Sequence, residues 1–150
     1  MPKALNIPPV WTLIALLAVF FIAQFDPMPL LPMPGFGGVV IACGIVLFVS
    51  SVYWFKRKGT TIVPRQKPQA LIVEGPFRIS RNPIYLAFAF IVWGACFWVG
   101  SLLALIAPIW LFLFLEKNYV IPEERKMREG LGDKAVDAYF ARTGRWVWFL

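Results

Sequence analysis

The sequence predicts an all-α integral membrane protein of about four transmembrane helices, the last two forming a tight hairpin, followed by a C-terminal cytoplasmic interfacial helix. Three observations predict it. Of the 150 residues, 59% are hydrophobic and only 15% are charged, against roughly 25% charged in a soluble domain. The apolar residues fall in uncharged runs of the length needed to cross a hydrocarbon core of about 30 Å. The basic residues gather at the ends of those runs, seven of the 15 Lys and Arg between Lys56 and Arg81 and seven more between Lys117 and Arg145. A single domain spanning residues 1–150 is expected at this length.

The first run, Pro9 to Phe25, is read as a span over about 9–25. A cleaved signal peptide is its rival, but the residues before it hold only Lys3 and no A-x-A-like site follows Phe25. Asp26 to Gly35 (DPMPLLPMPG) is a Pro-rich turn without Lys or Arg. A second span, about 36–55, ends abruptly at Lys56, Arg57 and Lys58, which mark the membrane exit. The segment 56–82 is polar and turn-rich, with Glu74 as its one acid.

Asn82 followed by Pro83 reads as a helix cap and first turn. From Ile84 to Leu115 no residue is charged, a length between one span and two. Charge bias decides. Two strongly basic segments should both be cytoplasmic, so an even number of crossings lies between them. Spans at about 83–99 and 101–121, turning near Gly100 and Ser101, satisfy this, with Gly94 as a small packing residue on the third. Both termini are then cytoplasmic, as in a bacterial-type inner membrane or an equivalent one.

The segment 122–150 follows Pro122, with Met127, Leu131, Val136, Tyr139 and Phe140 spaced as on a broken amphipathic helix along the interface. Trp146, Trp148 and Phe149 suit an aromatic anchor at headgroup level. There is no internal repeat and no low-complexity tract.

Composition also excludes some chemistry. The net charge of +7 sits beside apolar spans rather than on a nucleic-acid-binding fold, so anionic membrane lipids and not nucleic acid are the expected partners. The chain has no His, and Cys43 and Cys96 lie inside apolar runs without metal-ligand spacing. No metal is expected, and a His-based general base is absent.

Several separated blocks carry more. LIVEGPFRISRNPIYLA (Leu71 to Ala87), the upstream GTTIVP (Gly59 to Pro64), and the downstream IPEERKM and RTGRW together resemble the isoprenylcysteine carboxyl methyltransferase family, which is related to the phospholipid N-methyltransferases of membranes. That family shows G-P-[FY]-R-x-x-R-[HN]-P-x-Y-L before a helical hairpin, then a Glu-Glu pair, then F-G and Y-x-x-R-V-P-R-W. Here these correspond to Gly75 to Leu86, Glu123 with Glu124, Leu131 with Gly132, and Tyr139 to Trp146. Asn82 stands where many members carry His, one extra residue separates Gly132 from Tyr139, and Thr143 and Gly144 replace Val-Pro.

The resemblance implies methyl transfer from S-adenosylmethionine to a lipophilic acceptor entering from the bilayer at the cytoplasmic face, most like carboxyl O-methylation. A phospholipid or other small-molecule N- or S-methyltransferase, or a non-catalytic membrane interaction protein that keeps the fold, are the alternatives. It implies cofactor contacts from Gly75, Pro76, Arg78, Arg81, Asn82, Pro83, Tyr85, Glu123 and Glu124. Carboxylates suit the cofactor's amino group, Arg or a helix start its carboxylate, and aromatic faces its sulfonium. Acceptor contacts fall to Tyr139, Arg142 and Arg145, and catalytic roles to Arg142 and Glu124. A carboxylate acceptor attacks unaided once oriented, whereas an amine or thiol must first lose a proton, with Glu124 the nearest candidate base. Each group also has a plain reading. Arg78, Arg81, Arg142 and Arg145 read from composition alone as headgroup anchors, Glu123 and Glu124 as acids at a helix start, and Tyr85 as a belt residue.

Overall fold

The computed structural model of the chain describes residues 7–27, 30–60 and 69–147. Lys3, the stretch 61–64 of the upstream block, Trp148 and Phe149 lie outside the described residues. Among those described, every regular element is helical, with one isolated parallel bridge between Ser80 and Gly144. The order is α1 (Pro8–Ala23), α2 (Pro34–Arg57), a 3-10 turn (Gly75–Arg78), α3 (Pro83–Val99), a 3-10 turn (Leu103–Leu105), α4 (Ile106–Leu115), a π turn (Glu116–Val120), α5 (Ile121–Leu131) and α6 (Asp133–Phe140). Helices α1, α2 and α3 each begin on proline, whose fixed φ and missing N–H fit the first turn.

Two helices have the length and hydropathy to cross a bilayer: α2, 24 residues at mean hydropathy 2.2, and the continuous helix Leu103–Leu131, 29 residues at 1.5. Only 17% of the apolar window of α2 is buried in the protein, the opposite of a soluble core helix. The other two expected spans are shorter, α1 with 16 residues and α3 with 17, about 24 and 26 Å at about 1.5 Å per residue. The expected boundary after residue 121 is not a helix end. Pro122 lacks an N–H and its ring would strike the carbonyl four residues back in an α-helix, but the π turn before it widens the backbone. The helix therefore runs on to Leu131.

The described residues fall into two compact units, one drawn from Met1–Val46 and Ala87–Leu115, the other from Leu47–Leu86 and Glu116–Leu150. In the first, Trp11 of α1 packs on Trp110 and Phe114 of α4, at ring-centroid distances of 6.1 and 4.5 Å. Helices α2 and α3 approach backbone to backbone, because a Cβ on Gly94 would lie 2.8 Å from the Gly37 carbonyl oxygen and 2.7 Å from Ile41 Cγ1. Small residues at such crossings replace the missing hydrophobic drive with close van der Waals packing. The connections are clasped as well. The carboxylate of Asp26 accepts from the Ser101 hydroxyl at 2.5 Å and the Leu103 N–H at 3.0 Å, and Leu30 N–H donates to the Gly100 carbonyl at 2.7 Å.

In the second unit, Phe55 near the end of α2 meets Phe77 edge-on at 5.5 Å. Helix α6 buries Val136 and Tyr139, and the Tyr139 hydroxyl donates to the Phe77 carbonyl at 2.8 Å. The ion pair Lys58–Glu74 ties the end of α2 to the loop before the 3-10 turn.

A Leu at Gly94 must push α2 and α3 apart, so Gly94→Leu should cost about 1–3 kcal/mol, read as a lowered unfolding temperature of the detergent-purified protein. An unchanged temperature would contradict the close crossing.

Candidate functional site

The polar centre of the second unit starts from the loop Gly75 to Asn82. Its 3-10 turn carries Phe77 into the interior, and the Pro76 carbonyl accepts from the N–H groups of Ile79 and Ser80, each at 3.1 Å. The chain then runs alongside the C-terminal segment. Arg81 N–H donates to the Gly144 carbonyl at 3.0 Å. The Arg145 carbonyl accepts from the Asn82 side-chain amide at 3.1 Å and from the Ser80 hydroxyl at 3.4 Å. With its backbone held there, Arg145 extends its guanidinium to two acids.

Glu124, in the first turn of α5 and 8% exposed, is the shared partner. Arg145 grips it bidentately, Nε to Oε1 at 3.1 Å and Nη2 to Oε2 at 2.8 Å. Arg81 Nη1 reaches Oε1 from the other direction, also at 3.1 Å. The third donor used by Arg145, Nη1, meets Glu116 Oε1 at 3.0 Å. Phe140 supports the group from α6, its ring 4.0 Å below the Arg81 guanidinium carbon. In such a cluster each side chain is met by opposite charge and by directed hydrogen bonds that replace the water lost on burial.

Environment sets the protonation of its members. Burial pushes the pKa of Arg81 below its ordinary value, with Glu124 opposing the shift. The hydrogen bonds that Arg145 donates to Glu124 raise that of Arg145. Burial lifts the Tyr139 phenol well above its usual range, so it stays a neutral hydrogen-bond donor. The Nε of Arg81 is buried without a hydrogen-bond partner among the described residues, and a buried donor in that state carries a desolvation penalty that an anionic ligand would relieve.

Beside this cluster, Tyr85 near the start of α3 is 7% exposed and donates its hydroxyl to Glu123 Oε1 at 2.7 Å. Tyr119, in the π turn, lies 6.1 Å from the Tyr85 ring. Arg81, Asn82, Tyr85, Glu123, Glu124 and Arg145 therefore come together, as the residue types suggested.

The remaining expected residues are placed otherwise. Arg78 is exposed on the 3-10 turn. Arg142 is exposed at the end of α6, its Nε donating to the Ala138 carbonyl at 3.1 Å. Pro83 is a fully buried first residue of α3, and the Tyr139 hydroxyl is committed to Phe77. Gly75 has φ +56, and a Cβ there would stand 2.0 Å from the indole nitrogen of Trp54. A glycine is thus required by packing and backbone conformation, and the indole fills the space beside it. Glu116, Ser80 and Phe140 were not expected in the site. Glu116 left a sequence signal as the first charge after the long apolar run, and Phe140 only as an apolar position of the amphipathic C-terminal segment. Among the described residues no group of three or more His, Cys, Asp or Glu is placed to hold a metal ion.

A family model described as phospholipid methyltransferase matches residues 34–134. The chain belongs to the phospholipid methyltransferase family. The match takes in the loop from Gly75 and the Glu123/Glu124 pair, in agreement with the resemblance read from those blocks, and stops before Arg142 and Arg145. Comparisons with individually curated proteins and with solved structures give no match. Membership, together with two apolar helices of spanning length, makes this chain a membrane methyltransferase.

Removing the shared anion leaves two guanidiniums facing each other. Glu124→Gln should therefore cost about 2 kcal/mol of stability, discounted for the partial exposure of Arg145. Arg142→Gln should stay within about 0.5 kcal/mol. Thermal unfolding in detergent separates the two, and equal effects would remove Glu124 from the centre of the cluster.

Proposed function

We propose that this phospholipid methyltransferase family member transfers a methyl group from S-adenosylmethionine to a lipophilic acceptor at the cytoplasmic edge of the membrane. The observation that carries the reading is the joining of Arg81, Tyr85, Glu123, Glu124 and Arg145, from three separate segments of the chain, into one polar centre. The donor set fits the cofactor's zwitterionic end. Arg81, with its uncommitted Nε, suits the carboxylate, Glu123 suits the ammonium, and the rings of Tyr85 and Tyr119 suit a cationic sulfur. When bound, S-adenosylmethionine supplies an electrophilic methyl group on a sulfonium.

The chain's own part is orientation and charge. Glu124 fixes Arg81 and Arg145, and its own burial strengthens the interactions made at its carboxylate. Both oxygens of Glu124 already accept from guanidiniums, and the chain has no His, so little capacity remains for a general base. This favours an acceptor that is already anionic, such as the carboxylate of a prenylated cysteine, with the exposed Arg142 rather than the committed Arg145 as its guanidinium partner. The family description favours a second reading, a phospholipid amine, for which Glu123, the partner of the Tyr85 hydroxyl, would take the proton. In both, the basic segments 56–82 and 117–145 face the cytoplasm and the chain crosses the membrane four times.

Calorimetric titration of the folded, detergent-purified protein with S-adenosylhomocysteine tests the cofactor, and no binding would sink the enzyme reading in favour of a non-catalytic membrane protein. Glu123→Gln should weaken that binding about tenfold if the carboxylate meets the ammonium. Transfer of labelled methyl into extracted membrane lipids separates the acceptors, a base-labile ester for a carboxylate and a stable label in headgroups for an amine. For topology, Leu102→Cys in a background lacking Cys43 and Cys96 should react only with reagent applied from the non-cytoplasmic side; labelling from the cytoplasm would refute four crossings.

A further inference from the structure

Glu116 and Glu124 are eight residues apart on one continuous helix, yet both meet the guanidinium of Arg145. In an unbroken α-helix of about 3.6 residues per turn, eight residues overshoot two turns by about 80° and would aim the two carboxylates apart. The π turn Glu116–Val120 lies between them. A π turn takes up one extra residue with little extra rotation, so eight residues here complete about two turns. The two acids then share one face.

Arg145 is held between them, Nη1 on Glu116 and both Nε and Nη2 on Glu124. Its grip covers Oε2 of Glu124 and part of Oε1, which restricts Arg81 to the single contact of Nη1 with Oε1. The Arg81 Nε therefore stays buried and uncommitted. Were Arg145 free to leave, the planar fork of Arg81 would take both oxygens of Glu124, as guanidiniums do with an unshared carboxylate.

We infer that Glu116 is a positioning residue that acts through Arg145: the π turn brings it into register with Glu124, and by holding Arg145 on Glu124 it keeps Arg81 available for the carboxylate of the cofactor. The inference rests on the proposed function, and it assigns Glu116 no contact with substrate or cofactor.

The test uses the full chain in detergent. Glu116→Gln should lower the affinity for S-adenosylhomocysteine about tenfold by calorimetry and raise the KM for S-adenosylmethionine by a similar factor, leaving the KM for the acceptor unchanged. Glu116→Asp, which keeps the charge one methylene shorter, should lose about threefold. Arg145→Lys cannot bridge both acids, so Glu116→Gln added to it should lower affinity no further. Glu129→Gln, an exposed acid on α5, is the control and should bind as wild type does. Wild-type binding with undiminished affinity in Glu116→Gln, or in Glu116→Asp if the Gln variant fails to fold, overturns the inference. So do effects of Glu116→Gln and Arg145→Lys that multiply, or an acceptor KM that rises with that of the cofactor. Failure of the folded wild-type protein to bind S-adenosylhomocysteine is a different result, which removes the cofactor reading and this inference with it.

Discussion

The second unit depends on the sharing of one carboxylate. Glu124 is nearly enclosed, and an enclosed ion is tolerated only where opposite charge and hydrogen bonds replace its water. Arg81 and Arg145 supply both, and each is itself fixed by backbone contacts, Arg81 through its N–H to Gly144 and Arg145 through its carbonyl to Asn82. The ion cluster and the Ser80–Gly144 bridge therefore support one another. Among the described residues, neither the loop nor the C-terminal segment has a regular ladder of its own to hold it in place.

The helix that delivers Glu124 is unusual for the same reason. Pro122 should end or kink an α-helix, and the π turn immediately before it removes the clash. A feature that admits a proline also resets the rotation of everything after it. One local change in winding thus accounts both for the continuity of Leu103–Leu131 and for the shared face of Glu116 and Glu124.

In the first unit the forces are different. Large apolar side chains such as Leu13, Phe21, Val46 and Ile106 remain exposed, as expected where lipid rather than protein covers them. What holds the helices is close approach at Gly37 and Gly94, aromatic packing around Trp11, and the acceptance of Ser101 and Leu103 donors by Asp26. These contacts need small residues and satisfied polar groups more than additional hydrophobic area.

Much of this was legible in the chain alone. Uncharged runs bounded by Lys and Arg gave the membrane class, because the cost of burying charge in lipid is written directly into composition. Pro83 marked the start of α3, and the ordered blocks from Gly75 and at Glu123/Glu124 marked the family, since each is a local pattern. Tertiary structure decided the rest. It chose Arg145 over Arg142 as the partner of Glu124, brought in Glu116, and gave the space beside Gly75 to Trp54. Those choices turn on contacts between residues 20 to 65 positions apart and on one extra residue in a helical turn. Neither leaves a trace in the 3.6-residue period by which a sequence is read, because that period assumes the α-helical winding that the π turn replaces.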